Sequence, residues 1–337
     1  MENKILLGHG SGGQMTHDLI TDLFVRYFRN DYLGPQTDSS ILPVNTRNIA
    51  FTTDSFVVDP VFFPGGDIGK LAVAGTVNDL AVSGARPLYL SCSLIIEEGF
   101  SIRDLEKIVK SMADEATKAG VLITTGDTKV VDKGKCDKVF ITTTGVGELQ
   151  EDQIHISSGD KVKPGDKIII NGSIADHGMA IMAARNELNI QSAITSDCAC
   201  LNGLIAEALS ASSNIKFMRD ATRGGLATVL SELSSGKNYG VHVEEDHIMI
   251  KENVRGICEL LGFDPIYVAN EGKVVVVVDQ EDAAAVVDSM KKHPFGRDAA
   301  VIGEISEDHP GKSWLTTEIG GKRLIDKLAG EQLPRIC

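Results

Sequence analysis

An unbroken run of five valines, Val274–Val278, sets the first limit on what this chain can fold into. β-Branched side chains lose rotamer freedom in a helix and pack well on a pleated surface, so the run is a strand. No polar residue alternates within it, so both of its faces must be covered. A strand buried on both sides belongs to a sheet with further layers against it, which is an α/β arrangement. The run is far too short to span a bilayer. Just before it, Asn270-Glu-Gly272 places a carboxylate where a general base or an ordinary turn would sit.

The rest of the chain alternates strand-like and helical stretches. Asn48–Thr53 is short and β-rich and ends at Asp54. Residues 67–83 are helical in composition, closed by Gly84 with Pro87 beyond. Leu88–Ile96 reads as a strand. Ser101-Ile-Arg-Asp104 is a capping box for a helix whose apolar face carries Leu105, Ile108, Val109, Met112 and Ala116, stopped by Gly120. Val121–Thr125 and Lys138–Gly145 read as two more strands around a polar turn. Periodicity breaks at 157–165, a candidate boundary. A second α/β unit follows: a strand over Lys167–Asn171, helices over Ala175–Ala184, Ser196–Ser210 and Arg223–Ser235, the valine strand, and a helix over Asp279–Lys292 capped by Asp279. From about Gly311 the chain turns polar and Gly/Lys-rich, so a flexible tail is expected. The expected division is therefore 1–156, 157–310 and a tail over 311–337.

Of the 337 residues, 42% are hydrophobic, enough for well-buried cores, and the formal net charge is −14. With no basic run, a nucleic-acid partner is not expected. An acidic protein can still bind an anionic nucleotide if its carboxylates hold Mg²⁺. The six cysteines are scattered. Cys198-Ala-Cys200 has no second pair at zinc-ribbon spacing, and packing in the opening turn of its helix accounts for it. Met1–Leu7 lacks the pattern of a signal peptide. The expectation is a cytoplasmic protein with reduced thiols and no membrane segment.

Several polar residues interrupt local patterns. Asp38 lies in Thr37-Asp-Ser-Ser40, Asp54 at a strand end, and Asn78-Asp79 within an apolar helix. Asp127 follows a strand in Thr124-Thr-Gly-Asp-Thr-Lys129. Each aspartate alone suits a cap or turn; together Asp38, Asp54, Asp79 and Asp127 could converge on a crevice and hold Mg²⁺. Lys129, two residues past Asp127, would face the same way on an extended segment and stabilise charge during phosphoryl transfer. Gly8-His-Gly-Ser-Gly-Gly13 suits close approach to phosphate or a flexible arm, and lacks a P-loop ending. Asp220-Ala-Thr-Arg-Gly-Gly-Leu226 offers a turn and helix start for an anion. The sequence closes on Leu333-Pro-Arg-Ile-Cys337. A thiol there has little backbone to bury it and is expected to be mobile, with Arg335 anchoring the tail or favouring the thiolate.

Taken together these motifs resemble the HypE family of hydrogenase maturation proteins, within the superfamily of aminoimidazole ribonucleotide synthetase, selenophosphate synthetase and thiamine-monophosphate kinase. The resemblance spans the whole chain. It rests on His9-Gly-Ser-Gly-Gly13, Thr53-Asp-Ser-Phe56, Gly75-Thr-Val-Asn-Asp-Leu-Ala81, Gly84-Ala-Arg-Pro87, Gly126-Asp-Thr-Lys-Val130, Met218-Arg-Asp-Ala-Thr-Arg-Gly-Gly225, Asn270-Glu-Gly272 and Pro334-Arg-Ile-Cys337.

The resemblance implies a two-domain synthetase fold, α/β or α+β. Its N-terminal domains pair into a barrel-like homodimer core, and ATP binds near that interface. It implies that a carbamoyltransferase, HypF, loads a carbamoyl group on Cys337. ATP then drives its dehydration to a thiocyanate, and the HypC–HypD complex receives the cyano group for the [NiFe] hydrogenase iron. Asp38, Asp54, Asn78, Asp79, Gly126, Asp127 and Lys129 fall where the superfamily binds Mg²⁺ and phosphates, and Glu271 is our choice of base. A selenophosphate synthetase would carry its reactive cysteine near the N-terminus, where Gly8–Gly13 has none. A non-catalytic carrier that binds nucleotide and offers Cys337 to partners is the alternative from another class.

Overall fold

The computed structural model describes residues 4–11, 14–33, 40, 42–185, 193–327 and 335–337. The first half builds a four-stranded sheet from β1 (Asn48–Phe56), β2 (Arg86–Glu97), β3 (Leu122–Val131) and β4 (Val139–Leu149), in the order β1-β4-β2-β3. Only the β2–β3 pair is parallel.

Two long helices pack within this half, with a shorter helical stretch over 14–28 beside them. α1 (Ile68–Val82) starts at Asp67, whose carboxylate accepts from Gly69 N and Lys70 N. It is buried nearly all round, because the second half covers the side that the sheet leaves. α2 (Ile102–Ala119) starts at Ser101 and ends at Gly120 with φ of 70°, and its apolar face, Leu105 to Ala116, is buried as expected.

The second half forms a seven-stranded sheet. Its strands are β5 (Lys167–Ile170), β6 (Ile215–Asp220), β7 (Gly240–Glu244), β8 (Val274–Val278), β9 (Ala300–Ser306), β10 (Ser313–Thr316) and β11 (Lys322–Ile325), in the order β11-β10-β7-β9-β5-β8-β6. The valine strand β8 lies inside it and every one of its residues is fully buried. Helices α3 (Asp176–Ala184), α4 (Asn202–Ala211), α5 (Gly225–Ser234), α6 (Glu252–Leu261) and α7 (Ala283–Met290) surround the sheet. The α/β expectation holds.

Four local expectations need correction. Residues 313–316 and 322–325 are strands, not tail, because Trp314, Leu315 and Ile325 bury against the second core. The helix expected from Ser196 begins at Asn202, so Cys198 and Cys200 lie on the irregular segment before it, where Ser196 bonds His177 and Asp197 accepts from Glu271 N. Asp279 does not cap α7; it accepts from Glu281 N and pairs with Lys216 and Lys163. β1 and β3 run past Asp54 and Asp127, so both aspartates sit within strands.

Candidate active site

Three close approaches bring the functional side chains together where the halves meet. Gly272 lies so near the irregular segment that a Cβ there would stand 2.0 Å from Asp197 O. Asn270 donates to Ala221 O at 2.8 Å and accepts from Ala175 N at 2.7 Å, bracing the turn after β6 and the start of α3 at once. That turn needs glycine: a Cβ on Gly225, at φ of 60°, would lie 2.5 Å from Val268 O. The Asn-Glu-Gly and Thr-Arg-Gly-Gly motifs are thus two sides of one junction. Between them they aim Glu271 and Arg223 at the same point.

Cys337 occupies that point. Arg223 Nε donates to its Sγ at 3.0 Å and Arg223 Nη2 to its main-chain oxygen at 3.1 Å, while the Glu271 carboxyl lies against the thiol. The expected mobility of the thiol is not what the structure shows: Cys337 is 7% exposed and Ile336 is 3% exposed. The tail is pinned from several sides. Ile336 O meets His177 Nε2 at 2.8 Å, Arg335 O takes donors from Asp59 N and Arg185 Nη2, and the Arg335 guanidinium pairs with Asp137 and Asp59. Arg335 therefore anchors the tail, and Arg223 is the cation beside the sulfur.

Burial favours the neutral forms of the thiol and of the Glu271 carboxyl beside the Arg223 cation. Burial pushes the Cys337 thiol up to about 12, with the neighbouring Glu271 charge adding and Arg223 opposing. Burial also holds the Glu271 carboxyl well above its usual range, reinforced by Asp220, Asp197 and Asp54. Among the described residues its Oε1 has no hydrogen-bond partner, a buried acceptor left for something else. Desolvation, then Asp79, raises Asp220 to about 7.

A cavity of 570 Å³ opens beside this centre, lined by Thr52, Asp79, Arg219, Asp220, Thr222 and Arg223 among others. Asp79 is held by Thr52 Oγ1 at 2.9 Å, and its carboxyl is raised by burial and by Asp54. Of the carboxylates expected to converge, Asp54 and Asp127 do not meet within one chain. Asp54 stands in register with Thr143, Cys92 and Gly126, so Asp127 lies three strand spacings away, about 14 Å. Asp127 instead pairs with Lys129 at 3.1 Å, beside Gly10 in a separate, smaller cavity. Asp38 lies outside the described residues. Asn78 turns out to be a brace, donating to Ala199 O at 3.0 Å and accepting from Leu201 N at 2.7 Å. Among the described residues, no cluster of three or more His, Cys, Asp or Glu could hold a metal ion.

Sequence reasoning missed four participants. Arg223 and Asp220 were visible only as parts of a turn. His177 and Asp197, with Lys273 2.8 Å from Asp197, act through contacts distant in sequence that no local pattern announces.

The chain matches the AIR synthase related protein N-terminal domain over residues 36–149 and the corresponding C-terminal domain over 163–315. It is 48% identical to carbamoyl dehydratase HypE of Azotobacter vinelandii over 98% of this chain and 96% of that protein. The chain belongs to the HypE family. A HypE crystal structure in complex with ATP superposes with a TM-score of 0.93 at 47% identity, covering 98% of this chain and 99% of that one. A crystal structure of a HypE–HypF complex aligns at a TM-score of 0.78 and 47% identity over 92% of this chain and 99% of that one. HypE is a hydrogenase maturation protein, and the two-domain synthetase fold expected from the motifs is the one this chain adopts. Among the described residues no helix is long and apolar enough to cross a membrane.

Proposed function

We propose that this chain is an ATP-dependent carbamoyl dehydratase that acts on its own Cys337. The observation that carries the reading is the Cys337 thiol buried between Glu271 and Arg223, beside a cavity bordered by Asp79. A HypF-type carbamoyltransferase loads the sulfur as S-carbamoyl. The carbamoyl oxygen attacks the γ-phosphorus of ATP, ADP leaves, and the oxygen becomes a phosphate ester. One N–H proton goes to Glu271 in its carboxylate form. The second N–H proton passes to the departing phosphate as the C–O bond breaks, leaving S–C≡N. The cyano group then passes to iron on a HypC–HypD complex.

The carboxyls of Asp54 and Asp79, crowded close enough to raise Asp79, suit a divalent cation that arrives with ATP. Mg²⁺ there would offset charge on the transferring phosphoryl, with Asp38 and Asp127 as further ligands. Gly126 would let phosphate approach the backbone, and Lys129 would complete the cationic side.

Since Asp127 and Lys129 sit at the far edge of the sheet, we propose that a second copy brings them to Asp54 and Asp79. The outer side of β1 leaves Phe51 68% exposed and Ile49 51% exposed, an apolar surface that a barrel-forming homodimer would cover. Residues 1–156 would form this ATP-binding and dimerisation unit, and the chain from 157 the second domain. We place the enzyme in the cytoplasm with its HypF and HypC–HypD partners. The tail must withdraw for dehydration, which shields an activated intermediate from water, and extend for loading and delivery. Replacing Cys198 by Ala and placing a photocrosslinker on Ile336 tests the cycle. Crosslinks to the α3 region that ATP does not alter at any stage of turnover would sink it.

A further inference from the structure

A hydrogen-bond chain of fixed direction runs from the irregular segment before α4 to the tail. The carbonyl oxygen of Ile336 can only accept, and it lies 2.8 Å from His177 Nε2. Nε2 therefore carries the proton, and in a neutral imidazole Nδ1 is then an acceptor. Ser196 Oγ, 2.8 Å from Nδ1, donates to it and in turn accepts from Cys198 N at 3.0 Å. The ring is fully buried, edge-on to Phe63 with centroids 5.6 Å apart, and burial lowers its pKa against the pull of Asp197.

The three tail residues present consecutive main-chain oxygens, and each receives a donor from the body of the protein. Arg335 O takes Asp59 N at 3.2 Å and Arg185 Nη2 at 2.8 Å, and Cys337 O takes Arg223 Nη2 at 3.1 Å. The arginines are long and can follow a moving chain toward solvent. His177 cannot. Its Nε2–H, on α3 and fully buried, is satisfied by the docked tail and loses that partner when the tail leaves.

We infer that His177 is a positioning residue whose Nε2–H holds the Ile336 carbonyl, setting the Cys337 thiol between Glu271 and Arg223 and limiting its exposure. The inference rests on the reading above only in taking the docked tail as the state that dehydrates. Recognition is of main chain, so the dock depends on a donor at this one point more than on the identity of residue 336.

The test uses the full chain. His177→Gln keeps a donor for the carbonyl and an acceptor for Ser196, while His177→Phe fills the space with neither. Alkylation of Cys337 by iodoacetamide is followed by peptide mass spectrometry, and single-turnover dehydration is followed after loading by the carbamoyltransferase. His177→Phe is expected to alkylate about tenfold faster and dehydrate about tenfold slower, the ratio that one lost buried hydrogen bond brings, with His177→Gln close to the parent. Phe and Gln variants that behave alike, or a Phe variant no faster to alkylate, would overturn the inference. Should His177→Phe fail to fold, ¹⁵N-histidine NMR of the unaltered protein decides: the Nε2–H tautomer at neutral pH supports it, and Nδ1–H or imidazolium overturns it. If the parent never dehydrates a loaded carbamoyl group, the proposed reaction falls, while alkylation and NMR still judge the dock.

Discussion

Glu271 and Cys337 meet as two neutral acids, and the pairing has a direction in pH. The thiol's pKa is about 12 when docked against 9.0 for an ordinary cysteine. Docking is therefore at full strength below about pH 9 and is lost as pH rises toward 12. Cys337 alkylation should climb more steeply with pH than that of a free Arg-Ile-Cys peptide; parallel curves would refute the shift. Glu271 is raised for the same reason, so its contribution is present below the usual carboxylate range and declines as pH rises through its elevated pKa. Glu271→Gln removes that penalty. It should raise stability by about 0.5–2 kcal/mol in thermal unfolding while slowing nitrile formation about 10²–10⁴-fold. At this scale the sequence pointed to Glu271, a carboxylate set just before the valine strand, and to Cys337, a thiol on the last residue. Arg223 and His177 carry no such signal; one looks like a turn cation and the other like a polar residue in a helix.

Helices and strands owe their placement of the site to residues whose purpose lies in other elements. Asn78 interrupts the apolar face of α1 because it must hold Ala199 and Leu201 across the junction. Asn78→Leu would leave those buried backbone groups unpaired, at about 1–3 kcal/mol each, and should lower the melting temperature and the dehydration rate together. A Leu variant as stable as the parent would show that Asn78 acts on ligand instead. The capping signals at Asp67, Ser101 and Gly120 were legible because helix ends are decided locally. The lengths of β1 and β3 were not, since Thr, Asp and Lys on an open sheet face read as loop. The short strands β10 and β11 hid for a similar reason: Gly and Lys dominate the segment, and the burial of Trp314 and Leu315 depends on partners far away.

Across the whole molecule the account depends on a second copy. Asp54 and Asp127 head opposite edges of one sheet, a separation invisible in sequence because it requires the strand order β1-β4-β2-β3. Mixing Asp79→Asn with Lys129→Ala, each inactive alone, should restore ATP-dependent dehydration in the heterodimer if the edges come from different copies. Failure of every exchanged mixture to recover activity would show that each site draws Asp79 and Lys129 from the same copy. Phe51→Asp should give a monomer by sedimentation.

The most direct measurement is intact mass of the protein after incubation with a carbamoyl donor, the carbamoyltransferase and ATP. The account predicts a carbamoyl adduct on Cys337 that loses one water when ATP can be hydrolysed and keeps it with a non-hydrolysable analogue. A full adduct that persists with hydrolysable ATP would make the chain a carrier and contradict its assignment as the dehydrating enzyme.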